Sequence, residues 1–95
     1  MEINYEILYH EDVLREDIPK LSKKDAGRIK KAIEEKLGTV PETFGKPLRK
    51  SLKGYRKLRV GDFRIIFRLE KKSVKIFVIQ HRSVVYKQSV LRLRS

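Results

Sequence analysis

The run KGYRKLRVGDFRIIFRL, Lys53 to Leu69, interleaves basic and apolar residues and breaks once, at Gly61-Asp62. It constrains the fold more than any other stretch, because a period of two means a strand and a Gly-Asp break between two such runs means a hairpin. With Gly61 and Asp62 as the turn, Val60 faces Phe63. The pairs then run outward as Arg59 with Arg64, Leu58 with Ile65, Lys57 with Ile66, Arg56 with Phe67 and Tyr55 with Arg68. Opposed residues share a face. One face therefore carries Leu58, Val60, Phe63, Ile65 and Phe67, and the other carries Tyr55, Lys57, Arg59, Arg64 and Arg68.

A turn at Lys71-Lys72 extends the rule to a third strand. In SVKIFVIQ it expects Val74, Ile76 and Val78 on the apolar face and Lys75, Phe77 and Ile79 on the basic face, with His81 arriving beside the Gly61-Asp62 turn. Upstream, INYEILYH sets Ile3, Tyr5 and Ile7 against Asn4 and Glu6, another strand. EDVLREDI places Leu14, Ile18 and Leu21 at helical spacing until Pro19 ends or bends the segment. A longer helix follows. Ser22 is its N-cap with Asp25 three residues on, Ala26, Ile29, Ile33 and Leu37 share a face, and Gly38 is expected to close it in a left-handed conformation. Its outer residues, Lys24, Arg28, Lys30, Lys31, Glu34 and Glu35, read as a solvated face.

GTVPETFGKP, with two prolines and two glycines, reads as a loop, and SVVYKQSVLRLRS as a short helix presenting Tyr86, Val90 and Leu93. The fold class is α+β: an N-terminal strand and two helices packed on a small antiparallel sheet, with a short C-terminal helix. The 95 residues make one domain, 1–95. A chain of this size buries only roughly 60 to 70 % of its unfolded surface, so one modest core is the limit.

Charge narrows the function. Residues 1–45 hold 8 Lys/Arg against 10 Asp/Glu, whereas residues 46–95 hold 16 against 2, which makes the C-terminal half a polycation of net +14. Such a field suits nucleic acid, an anionic membrane surface or an acidic protein. There are no cysteines, so disulfides and thiolate metal sites are excluded, and a reducing compartment fits. The apolar runs are far shorter than the roughly 20 residues needed to span a bilayer, and MEINYE lacks the basic start of a signal peptide, so a cytoplasmic protein without a membrane partner is expected.

The basic face suits an anion, because Arg59 and Arg64 lie directly opposed and like charges there repel; the alternative is that their long side chains splay apart into water. The two histidines have no companions at ligand spacing and the basic half has no carboxylate cluster, so no metal and no cofactor is expected. Gly-rich phosphate loops and Ser-His-Asp sets are missing too. RNA offers a metal-free route: its own 2′-OH attacks the adjacent phosphate once a base, a charge stabiliser and an acid are in place. Lys57, Arg64, His81, Arg82 and Tyr86 are the catalytic candidates. Arg49, Lys50, Lys53, Tyr55, Arg59 and Arg68 are the RNA- or phosphate-binding candidates.

LKGYRKLRVGDFRIIFRL followed by IQHRSVVYK resembles the RelE/ParE superfamily of bacterial toxins over nearly the whole chain. The resemblance implies a RelE-like fold and a ribosome-dependent, metal-independent mRNA endonuclease, with the ribosome and its mRNA as partners and a cognate acidic antitoxin as inhibitor. It implies that Arg64 contacts the scissile phosphate, that Tyr86 stacks on or protonates the substrate, and that Lys57 and Arg82 complete the set. A second lysine common in the nuclease branch is replaced by Tyr55, so His81 and Lys53 join Lys57 as candidate bases. ParE-type relatives share the scaffold and inhibit DNA gyrase instead. A plain basic RNA-binding module is the third reading.

Overall fold

The computed structural model describes residues 5–94; Ile3 and Asn4 of the expected first strand lie outside them. Five strands, β1 (Glu6–Tyr9), β2 (Lys46–Pro47), β3 (Arg56–Val60), β4 (Phe63–Leu69) and β5 (Ser73–His81), form one sheet in the order β1-β5-β4-β3-β2. The hairpin register is the one that parity dictates, from Val60 opposite Phe63 to Arg56 opposite Phe67. Gly61 takes φ +59°, a conformation that glycine adopts without penalty at the first central position of a tight turn. Lys71-Lys72 forms the second turn, closed by the Glu70 amide donating to the Ser73 carbonyl at 2.9 Å. The meander is antiparallel, but β1 pairs parallel to β5, so the sheet as a whole is mixed.

One expectation fails inside β5. Ile66 pairs with Val78 and Phe67 with Ile76, which leaves Phe77 as an extra residue in a β-bulge. An added residue shifts the alternation by one. Val78 therefore joins Phe77 on the basic face, while Ile79 crosses to the apolar face and packs with Ile65 and Ile76.

The apolar face is covered by the N-terminal helices, which carry the chain from β1 across to the far side of the sheet. Helix α1 (Lys23–Ala32) begins at Ser22, whose Oγ accepts from the Asp25 amide at 3.0 Å, and widens into a π-helical turn at Ile33–Leu37. Ile29, Ile33 and Leu37 pack on Leu58, Val60, Ile65, Phe67, Val74 and Ile76. Fully burying each such side chain contributes about 1.5–3 kcal/mol, so this layer dominates stability. Gly38 leaves the helix with φ −72°, right-handed rather than left-handed, and its carbonyl accepts from the Tyr5 amide.

The first helical segment is a π-helical turn, Val13–Asp17, followed by a 3₁₀ turn, Ile18–Lys20. Pro19 has no N–H to continue an α-helical ladder, and the Ile18 amide reaches back to the Val13 carbonyl instead. The rotated turn buries Val13 and Asp17 and leaves Leu14 55 % exposed, against the expected inward Leu14. The Pro/Gly-rich segment is not all loop: it forms the short helix α2 (Pro41–Phe44) and β2.

Helix α3 (Val85–Arg94) crosses the second face. It buries Val85 and Ser89 rather than Tyr86, Val90 and Leu93, and Val85 closes a small second core with Ile66, Phe77 and Val78. Its far end is held through Arg92, which pairs with Asp17 and, at 3.6 Å, with Asp12. Arg92 donates to Asp17 through Nη1 at 2.8 Å and Nη2 at 3.0 Å, and Asp17 also accepts from the Ile79 amide at 2.9 Å, on the edge of β5 beyond the end of β1. The hydrogen bond to Asp17, against the cost of burial, holds the Arg92 guanidinium above its ordinary pKa. Among the described residues no helix is long and apolar enough to cross a membrane.

Candidate functional site

Sheet register arranges the basic face in rows. Lys57, Ile66 and Val78 form one row across β3, β4 and β5, and Arg59, Arg64 and Gln80 form the next. Rows on one face are two residues apart, about 7 Å along the strand. Helix α3 starts over the first row. Because Val85 must fill the apolar dip over Ile66 and Val78, the next residue, Tyr86, is carried to the β3 side. There its hydroxyl accepts from Lys57 Nζ at 3.0 Å, with Nζ 5.6 Å from the ring centroid. Lys57 is half-buried and Tyr86 exposed, so the pair is both ordered and reachable.

Arg64 sits in the neighbouring row. Its Nη1 donates to the carbonyls of Gly61 and Phe63, each at 3.0 Å, which pins the guanidinium at the hairpin turn. A guanidinium carries five N–H donors, so the rest of the fork is left for an anion. Arg28, expected on a solvated helix face, lays its guanidinium against Gly61, where an added Cβ would collide with it. A further cation thus reaches the turn from the helix-covered side, and only the docking of α1 puts it there.

The bulge decides the place of His81. It pairs with Phe63, meets that ring edge-on at 6.0 Å, and so stands on the helix-covered face, across the sheet from Lys57, Arg64 and Tyr86. Its Nδ1 accepts from the Ser83 amide at 3.1 Å, so a neutral ring keeps its proton on Nε2 and offers a donor rather than a lone pair. Gln80 takes the position beside Arg64 that the unbulged alternation denied it. Arg82 lies at the turn, its amide donating to the Asp62 carbonyl and its Nε 3.8 Å from the Asp62 carboxylate.

The remaining binding candidates divide. Arg49, Lys50 and Lys53 are exposed around a 3₁₀ turn, Lys50–Leu52, that packs beside α3, and Lys50 holds a left-handed φ of 55°. Tyr55 and Arg68 do not join the Lys57 group. They line a cleft of about 440 Å³ at the opposite end of the same face, with His10, Lys75, Phe77 and Leu93. Among the described residues no three His, Asp or Glu side chains gather as a metal site would need.

A mixed sheet with helices on one face, a terminal helix on the other and a cationic turn between them defines a class of small toxins, and solved structures share it. The chain is similar to the RelBE2 toxin–antitoxin complex of Mycobacterium tuberculosis, at 26 % identity and TM-score 0.78, covering 87 % of this chain and 97 % of that one. It is similar to the RelB–RelE antitoxin–toxin complex of Methanococcus jannaschii, at 20 % identity and TM-score 0.64, covering 85 % and 96 %. YafQ of Escherichia coli gives 18 % identity and TM-score 0.57, covering 86 % and 98 %. The sequence profile of the ParE toxin of the type II toxin–antitoxin system, parDE, matches residues 4–86. The chain belongs to that family, within the RelE/ParE superfamily. No curated protein matches the sequence.

Proposed function

We propose that this toxin is a ribosome-dependent mRNA endonuclease, acting in the cytoplasm as a single domain and inhibiting translation. The observation that carries the reading is the 3.0 Å contact between Lys57 Nζ and the Tyr86 hydroxyl on the arginine-bearing face. Lys57 serves as the base, its Nζ taking the proton of the RNA 2′-OH, whose oxygen attacks the adjacent phosphorus. The P–O5′ bond breaks, and the Tyr86 phenol gives its proton to the departing 5′-oxygen. The Lys57 ammonium then returns a proton to Tyr86 along their hydrogen bond, which resets both groups. Arg64 stabilises the charge growing on the phosphoryl oxygens, with Arg59 and Arg82 supporting it. The products are a 2′,3′-cyclic phosphate and a 5′-OH, and the balance requires no metal. His81 is left out of the proton transfers, because it stands on the other face.

The partner proposed for storage is an acidic antitoxin, since net +14 over residues 46–95 calls for counter-charge. Affinity for it should fall with salt. An affinity flat from low to high ionic strength would mean that apolar docking dominates.

The test is cleavage on translating ribosomes. Arg64→Ala should stay folded and lose about 10²- to 10³-fold in cleavage rate. Parent cleavage should persist in excess EDTA on ribosomes held by polyamines, and 5′-phosphate ends would overturn the 2′-OH route. The family match favours one other reading, a ParE-like inhibitor of DNA gyrase. Gyrase-linked DNA breaks without mRNA cleavage would establish that one instead.

A further inference from the structure

The cleft at the far end of the basic face is built differently from the Lys57 site. Its floor is Phe77, the residue pushed out by the bulge. The Tyr55 ring lies 5.0 Å from Phe77 at 32°, and the His10 ring meets Phe77 edge-on at 5.4 Å. Leu93 of α3 closes one side, and Arg68 and Lys75, a cross-strand pair, also line it. Both cations approach Glu70, at 3.7 and 3.6 Å, so two positive charges share one negative and the cleft keeps a positive surplus.

Tyr55 is not an ordinary core tyrosine. Such a residue pairs its hydroxyl when it is buried. Among the described residues no buried polar side-chain atom lacks a partner and none bonds the Tyr55 hydroxyl, so that hydroxyl is open to solvent. Three rings beside two cations match a flat aromatic base joined to a phosphate. A volume of about 440 Å³ is in the range of sites that enclose a small organic ligand. Tyr55 is also only two residues from Lys57, one before β3 begins, so the two lie within about 7 Å along the chain.

We infer that this cleft holds one unpaired nucleotide of the RNA next to the cleavage point, its base laid on the open side of the Tyr55, Phe77 and His10 ring cluster and its phosphate on Arg68 and Lys75. The inference rests on the proposed RNA-cleaving activity for its substrate. It adds a positioning site: the cleft grips a neighbouring nucleotide so that the scissile phosphate lies at Lys57 and Arg64.

The test separates binding from cleavage by using a short single-stranded RNA made uncleavable with 2′-O-methyl groups, titrated into the intact protein and followed by amide and aromatic NMR shifts. Signals of His10, Tyr55 and Phe77 should move. Tyr55→Leu, which keeps apolar packing, should weaken binding about 10- to 100-fold, Tyr55→Trp should restore it, and the exposed Lys75→Gln should weaken it severalfold. In cleavage assays Tyr55→Leu should raise KM far more than it lowers kcat, which lost folding would not do. Unmoved cleft signals, or equal RNA affinity for the parent and both weakening variants, would overturn the inference even if mRNA is cut. If the parent binds RNA in the cleft but cuts none, the cleft stands and the endonuclease reading falls. A Glu- and Leu-rich peptide shifting the cleft signals while RNA does not would also overturn it, by assigning the cleft to a protein partner.

Discussion

The two faces of this sheet come from the same strands, yet one is sealed by a continuous apolar layer and the other by a four-residue patch with cations around it. On the helix side, Ile29, Ile33 and Leu37 meet β3, β4 and β5 over a continuous apolar surface. On the α3 side only Ile66, Phe77, Val78 and Val85 form a buried cluster, and Lys57, Arg59 and Arg64 surround it. Packing density on one side allows charge density on the other. Like charges crowded on one face of a small sheet are unfavourable, and the opposite layer supplies the burial that offsets them. The faces are joined at the β5 edge, where Asp17 from the helix side holds Arg92 from the α3 side.

The largest effect should come from breaking that joint. Asp17→Ala takes the bidentate carboxylate from a mostly buried guanidinium, leaving it Asp12 at 3.6 Å and the Phe77 carbonyl at 3.0 Å, and uncaps the Ile79 amide, and should cost about 3 kcal/mol in denaturant unfolding. Replacing both partners, Asp17→Leu with Arg92→Met, should recover most of the loss, since an apolar pair of similar volume is often no worse than a buried ion pair. If the single variant unfolds like the parent, the two faces are not coupled through this pair.

A smaller effect should come from the hairpin turn. Gly61→Ala forces a β-carbon into a left-handed conformation and into the Arg28 guanidinium. It should cost about 1–2 kcal/mol by thermal unfolding. Pairing it with Arg28→Ala should return part of that cost if the contact is real, and none if only φ matters.

The basic face should show the opposite sign. Arg59→Gln removes one of two directly opposed arginines and should leave stability within about 0.5 kcal/mol of the parent or slightly above it, while weakening RNA binding. A clear destabilisation would mean that Arg59 belongs to the packing side of the comparison.

Least visible at neutral pH is Tyr9. Burial, helped by the nearby Glu34 charge, raises its phenol above the ordinary 10.0. A raised folded-state value means its contribution is fully present below pH 10 and is lost as pH climbs through the folded value. Tyr9→Phe should therefore extend the alkaline limit of the fold without changing stability at pH 7, read by unfolding at several alkaline pH values.

Much of this architecture is legible before any packing is considered. The turn at Gly61-Asp62 and the strict period of two determined which residues of β3 and β4 share a face, because pairing across a two-residue hairpin leaves no freedom of register. Ser22 and Asp25 announced the start of α1, since a hydroxyl three residues before a free amide caps it locally. The segregation of charge likewise placed Lys57, Arg59 and Arg64 together.

What lay beyond the sequence concerns third parties to each local rule. Alternation along β5 presumes one residue per partner, and the extra residue at Phe77 arises where β5 must satisfy β4, β1 and α3 together. So Ile79 and His81 exchanged faces with Val78 and Gln80. The helical period of α3 allowed either stripe inward. The apolar dip at Ile66 and Val78, together with Asp17 waiting at the sheet edge, selected Val85, Ser89 and Arg92, and so left Tyr86 free to meet Lys57. Residues two apart on a strand can be paired from spacing alone, whereas residues 62 and 75 apart, as Asp17 is from Ile79 and Arg92, meet only once the layers have closed.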